Sequence, residues 1–289
     1  MGRGRAQGVR LTVAAAAISV LRIMGALGAV YVLLCVLAWR YQERLVFPRA
    51  RAVLPDPPPP GRRVMVKARD GVVLHGWYLP PASAPERSAS PGLIWFCGNM
   101  ETIGGIGSVV QHFRPPEAAV LVLDYRGYGE NEGVATESDV YQDAEAAWDF
   151  LTAQPEVDSA RVVVYGRSVG SVPALYLATT RPVRGVILDS PFTSVRAMAA
   201  AHYRYLPRFI IRVSMDNLER AARLKVPLLV FHGDRDRLSP IAMGEAVAAA
   251  GHGRLVRLAG ADHNATYDVP DGDYRRPLQE FFSQQTGTR

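Results

Sequence analysis

Apolar residues along this chain fall into three regimes. The first is Ile23 to Trp39, "IMGALGAVYVLLCVLAW", an uninterrupted run without a charge. Its seventeen residues, at ~1.5 Å each, make a helix roughly 26 Å long, just short of a bilayer's hydrocarbon core. Arg22 can snorkel from the boundary, which lets "LTVAAAAISVL" extend the stretch toward the N-terminus. The pattern predicts one transmembrane anchor ending at Trp39, Arg40 and Tyr41, residues suited to an interface. A cleaved signal peptide headed by Arg3, Arg5 and Arg10 is the alternative, although the run continues past the small residues near Gly28 where cleavage would fall. Arginines flank both ends and leave the orientation open.

The second regime is "LPDPPPPG", residues 54–61, where consecutive prolines favour extended polyproline II and resist helix or sheet. It is expected to be a stiff spacer. The expected organisation is therefore a tip and anchor over 1–40, a juxtamembrane and Pro-rich linker over 41–61, and one domain over 62–289.

The third regime begins with "RVMVKAR" and "VVLHGWYLP" around Asp70-Gly71, which predicts an antiparallel hairpin. Then come "GLIWFC", "AAVLVLDY", "RVVVYG", "GVILDS", "PLLVFHG" and "RLVRLAG", short apolar runs expected of strands buried on both faces. Helical patterns separate most of them, at about 103–113, 137–153, 169–180 and 240–250, with a last helix at 273–285. The alternation predicts a mostly parallel eight-stranded sheet with helices on both faces and a ligand site at the C-terminal strand ends. Residues 193–226 carry helical patches without a clear strand and are expected to form a short lid.

Charge changes this picture in one respect. The chain carries +6, yet residues 1–63 hold ten arginines against Glu43 and Asp56, so this segment alone is +8 and the remainder −2. Basicity thus belongs to the membrane-proximal region, and no basic stripe interleaved with aromatics suggests a nucleic-acid partner. With two cysteines, Cys35 and Cys97, no disulfide framework is expected, and without CxxC or HExxH no metal site is expected.

The chemistry centres on "VVVYGRSVGSVPALYLA", residues 162–178. A G-x-S-x-G alone is a weak signal, because Gly and Ser also mark plain turns. Here it follows a β-branched run and precedes a helical one, the context of a nucleophile elbow with Ser168 at its tip. Such a serine needs a base held by an acid, in the chain order Ser, Asp, His. Asp189, Asp234 and Asp236 are the acids at downstream strand ends; Asp236 has the better spacing, and Asp234 is expected to shape the turn. Only His252 and His263 follow, and His252 precedes the last strand, at the wrong edge of the sheet. His263 follows that strand. An oxyanion hole needs two backbone amides: Val169 supplies one, and Asn99, or Met100 beside it, the other.

With these residues in place, "QERLVFP", "CGNMETIGG", "LDYRGYGENEG", "YGRSVGS", "DSPF" and "FHGDRDRLSP" resemble, in order, landmarks of the α/β-hydrolase superfamily. Within it, the chain is similar to the N-terminally anchored serine hydrolases related to the ABHD proteins. One departure is Cys97 in Cys97-Gly98-Asn99, where that group usually has histidine; the oxyanion donor is a backbone amide, so the hole does not require it. The resemblance implies an α/β-hydrolase fold with a Ser168–His263–Asp236 triad, no cofactor, and a small-molecule or lipid-like acyl substrate met at a membrane. Ester and thioester hydrolysis is the leading expectation. A peptidase or amidase of the same fold stays open, and so does a non-catalytic scaffold. Oligomeric state is not implied.

Overall fold

The computed structural model describes residues 2–83 and 89–288, with the side chains of residues 2–17, including the basic tip, outside the description. A single helix, α1 (Gly2–Val46), occupies the N-terminal region. Its stretch Ile18–Val46 is long and apolar enough to cross a membrane by length and composition. The helix runs past the expected end at Tyr41 because the domain holds its last turns: Gln42 is buried and hydrogen-bonded there.

Eight strands follow: β1 (Arg62–Lys67), β2 (Val73–Leu79), β3 (Ser90–Phe96), β4 (Ala119–Leu123), β5 (Val157–Arg167), β6 (Gly185–Asp189), β7 (Leu228–Gly233) and β8 (Arg254–Leu258). They form one sheet in the order β1-β2-β4-β3-β5-β6-β7-β8. β1 and β2 make the expected hairpin, and Gly71 takes the φ of +91° that its turn requires. β2 runs antiparallel to β4, and all later pairings are parallel. The mostly parallel sheet read from the alternation is what forms.

Helices α2 (Ile103–Phe113), α3 (Glu137–Thr152) and α4 (Ser171–Thr180) connect the central strands. α5 (Val195–His202) and α6 (Asn217–Ala222) lie in the lid segment between β6 and β7, with α7 (Ile241–Ala250) and α8 (Arg275–Thr286) beyond. The strand runs lack polar alternation because both faces are covered. Trp95, Val163, Tyr165 and Phe231 pack toward α2 and α8 on one side. Their sequence neighbours Ile94, Val164 and Val230 pack toward α3, α4 and α7 on the other. α3 starts where it does because Thr136 and Asp139 form a reciprocal capping box.

The Pro-rich stretch departs from the expected free spacer. Phe47 and Leu54 are 1% and 2% exposed and belong to the main apolar core, and the Leu54 amide donates to Glu130 (3.0 Å). The Trp77 indole donates to the Pro55 carbonyl at 2.8 Å. Apolar side chains at 47 and 54 bracket the arginines, and a segment that buries them gains more by lying on the sheet than by standing off it. The domain's packing thus begins at about Phe47 rather than at 62.

Candidate active site

Ser168 follows directly on β5 and opens a single 3-10 turn, Ser168–Gly170, before α4. Its φ is +49°, a strained conformation for a residue with a side chain. The flanking glycines make that turn possible. A Cβ on Gly166 would lie 2.2 Å from the Gly170 carbonyl oxygen, and one on Gly170 would lie 2.3 Å from that of Phe96. Only hydrogen fits at either place. Pro173 is the third residue of α4, within the first turn, where amides lack intrahelical partners anyway.

The strand-end loops bring three of the expected side chains together. His263 Nε2 lies 3.1 Å from Ser168 Oγ, and its Nδ1 lies 2.7 Å from Asp236 Oδ2. Ser168, His263 and Asp236 are buried, at 9%, 8% and 6% exposure. Asp236 also accepts the amides of Leu238 (2.9 Å) and Ser239 (2.8 Å) through Oδ1, so both its oxygens are engaged. Burial alone would push this carboxyl up; hydrogen bonds with His232 and His263 and the histidine's charge outweigh it and hold the group well below the usual carboxylate range. An ionised Asp236 requires the His263 proton on Nδ1, which leaves Nε2 free to accept the Ser168 hydroxyl proton.

The other acids are committed elsewhere. Asp234 Oδ1 accepts the Gly260 amide at 2.8 Å and shapes its turn. Asp189 is fully buried and accepts from Ser190 (2.9 Å), Thr266 (2.8 Å) and Tyr274 (3.0 Å). Val169 follows the serine inside the turn. Asn99 is half-buried, and its side-chain oxygen accepts the Tyr128 hydroxyl at 3.3 Å; Met100 is exposed with a φ of +64°. Burial pushes the Tyr128 phenol up. Cys97 is 1% exposed, burial raises its thiol well above the ordinary range, and its carbonyl accepts the Tyr125 hydroxyl at 2.8 Å. It is a packing residue.

Two contributors were not read from the sequence. Arg167, the variable position of the elbow motif, is 4% exposed. It donates to Glu101 at 2.5 Å and to the His263 backbone carbonyl, and stacks over Tyr267 with 5.2 Å to the ring centroid. Glu101 in turn accepts the Gly98 amide at 2.5 Å. One guanidinium therefore ties the Gly98–Met100 loop to the His263 loop. His232 is fully buried; its Nε2 donates to the Ser239 carbonyl at 2.7 Å and lies 3.4 Å from Asp236 Oδ2. A strand-end histidine offers no pattern that would mark this role. The lid is tied in as well, since Asn217 of α6 donates to Ser171 (2.7 Å), whose hydroxyl donates to the Ser168 carbonyl (2.5 Å).

Residues 89–213 match the family described as "Serine aminopeptidase, S33". The chain is 35% identical over 236 residues to an uncharacterized protein of Mycobacterium tuberculosis, Rv2307c, covering 78% of this chain and 82% of that one. It is 33% identical over 169 residues to alpha/beta hydrolase domain-containing protein 17B of Homo sapiens, 57% of each chain. Among solved structures, the Pyrococcus furiosus esterase PF2001 superposes with a TM-score of 0.65 at 19% identity, over 82% of this chain and 100% of that one. A puromycin-hydrolyzing peptidase of Mycobacterium tuberculosis gives 0.63 at 19%, over 79% of this chain and 40% of that one. At such identities the two structures establish a shared fold.

Proposed function

Because the chain belongs to the α/β-hydrolase superfamily, as a relative of the ABHD proteins, we propose that it is a membrane-anchored serine hydrolase cleaving acyl esters or thioesters. The observation that carries this reading is the contact chain from Ser168 Oγ to His263 Nε2 (3.1 Å) and from His263 Nδ1 to Asp236 (2.7 Å). Ser168 attacks the acyl carbonyl while His263 takes its proton, and Asp236 keeps the imidazole oriented and stabilises its charged form. The Val169 and Asn99 amides receive the developing oxyanion, with Met100 the alternative donor. His263 then protonates the departing alcohol or thiol. It next deprotonates water, which attacks the acyl-enzyme and restores Ser168.

Arg167 and Glu101 position this machinery without touching the reacting atoms. The anchor reading rests on Ile18–Val46, and the acyl preference on the apolar surroundings of lid and anchor.

A peptidase reading draws support from the family description. Against it, Glu101, Asp189 and Asp236, the acids bonded into the site, are already engaged by Arg167, by hydroxyls and by His263, leaving none of the three to hold a substrate ammonium. Full-length protein in detergent should label covalently with a fluorophosphonate, and Ser168→Ala should abolish the labelling. Labelled enzyme that turns over acyl esters and thioesters but not aminoacyl amides supports the proposal. Amide turnover that outpaces both would replace it with the peptidase reading, and absence of labelling in folded protein would remove the nucleophile.

A further inference from the structure

The anchor and the lid are joined. The face of α1 turned to the domain is Cys35, Ala38, Gln42 and Val46, spaced by three and four residues, with Tyr31 continuing the line one turn earlier though itself exposed, while the rest of the helix from Ile18 onward is largely exposed. At one end of that line the Tyr31 hydroxyl donates to the Tyr205 carbonyl at 2.7 Å. Near the other end Gln42 donates to the Ile210 carbonyl (3.3 Å) and accepts the amides of Arg212 (2.6 Å) and Val213 (2.9 Å). Between them Arg212 lies over the Trp39 ring, 4.7 Å from its centroid, and donates to the Trp39 carbonyl at 3.2 Å. The lid's middle segment therefore lies alongside the apolar helix rather than above its end.

This sets a depth. Tyr31 precedes Trp39 by eight residues, about 12 Å along a helix axis. With Trp39, Arg40 and Tyr41 at the outer edge of the interface, Tyr205 lies about 12 Å further in, comparable to the headgroup zone and the first acyl carbons, while Phe209, beside the Ile210 that Gln42 holds, stays near that edge. Their composition suits that position. Tyr203, Tyr205 and Phe209 are 64%, 75% and 87% exposed, three large aromatics facing outward, and the Arg204 guanidinium lies 5.0 Å from the Tyr205 ring centroid. Residues 193–215 contain Arg196, Arg204, Arg208 and Arg212 and no acidic residue. Aromatic tips among arginines able to snorkel to phosphates form a surface complementary to an anionic leaflet.

We propose that the lid is a membrane-inserted element: its tip, centred on Tyr205, penetrates an anionic leaflet beside the anchor. Where it concerns substrate, the inference rests on the serine hydrolase reading. His202 Nε2 contacts the Leu238 carbonyl at 2.7 Å, in the loop that carries Asp236, so the inserted tip is one hydrogen bond from the site. An acyl substrate dissolved in the bilayer would reach Ser168 by moving sideways past the tip, without crossing water.

The test uses the full chain in nanodiscs of three parts phosphatidylcholine to one part phosphatidylserine. Tyr205→Cys, in a Cys35→Ser background that leaves only the buried Cys97, carries an environment-sensitive fluorophore. Ser159→Cys, exposed on β5 at the opposite strand ends, carries the same dye as control. A blue-shifted dye at 205, quenched by lipids brominated on the acyl chain while the dye at 159 is not, is the expected result. Quenching by aqueous iodide equal at both positions overturns the proposal. So does a dye at 205 shielded from both quenchers, which would place a second copy of the chain or another protein over the tip.

In the same nanodiscs, Tyr205→Asp should slow a bilayer-dissolved long-chain ester about tenfold and leave a soluble short-chain ester unchanged. Equal slowing of both overturns substrate delivery through the tip. If the unaltered chain cleaves neither ester, the hydrolase reading fails, and the quenching data still decide insertion.

Discussion

A buried carboxyl with too few partners changes its proton affinity, and Asp124 is such a group. It is 2% exposed; Oδ1 accepts the Ile103 amide at 2.8 Å, while Oδ2 is buried without a hydrogen-bond partner. Burial, aided by Glu130 and opposed by the Ile103 amide, raises it to about 7. In the unfolded chain it titrates near ~3.9. Between those values the folded state keeps a proton the unfolded state has lost, so stability falls as pH rises through that window and levels off above about 7. The shift corresponds to about 4 kcal/mol as an upper bound. Asp236, whose folded value is depressed, acts in the other direction and only in stronger acid. Asp124→Asn keeps the acceptor for Ile103 and cannot ionise. Thermal unfolding in detergent should show its Tm well above that of the wild type at pH 8, with the gap shrinking to about a third at pH 5; a constant difference would sink the assignment. At this scale, the meeting of Ser168, Asp236 and His263 was legible because chain order and strand-end position constrain it. Arg167 was not, because its partners Glu101 and His263 lie 66 and 96 residues away and its own position in the motif admits many residues.

Elements transmit such constraints, and the elbow is the tightest of them. Gly170 has an ordinary φ, so its requirement is spatial: a Cβ would press on the carbonyls of Phe96 (2.3 Å) and Cys97 (2.6 Å), backbone atoms that lead into Gly98-Asn99. Gly170→Ala should cost about 1–3 kcal/mol and slow fluorophosphonate labelling, because the loop that yields carries a proposed oxyanion donor. Gly105→Ala in α2 is the matched control. Its added Cβ would meet nothing nearer than 3.9 Å, and it should stabilise by about 0.5–1 kcal/mol through helix propensity. Equal destabilisation by both changes, measured by denaturant unfolding, would rule out the spatial account. The strands and helices were readable because two-sided burial and amphipathic spacing write themselves locally. The end of α1 was not, since Gln42 becomes part of the helix through bonds to Ile210, Arg212 and Val213, more than 160 residues away.

For the molecule as a whole, the expected division at residue 62 misses what proline-rich composition hides. Prolines predict extended backbone correctly, but not whether that backbone stands free; Phe47 and Leu54 decide the matter by entering the core. A chain starting at Arg62 loses both side chains together with the Pro55–Trp77 and Leu54–Glu130 hydrogen bonds. Losing two buried apolar side chains of this size costs about 2–5 kcal/mol each, a large share of a typical domain's stability. A chain starting at Gln42 keeps them. Thermal unfolding should give the longer form a cooperative transition and the shorter one a Tm lowered by about ten degrees or more, at about 2–4 °C per kcal/mol for this size; equal values would mean the segment adds nothing. The consequence reaches beyond the purified protein. A protease clipping between Pro48 and Gly61 would sever the domain from Phe47, one of its own core side chains, so the cut would yield a destabilised product rather than an intact free domain.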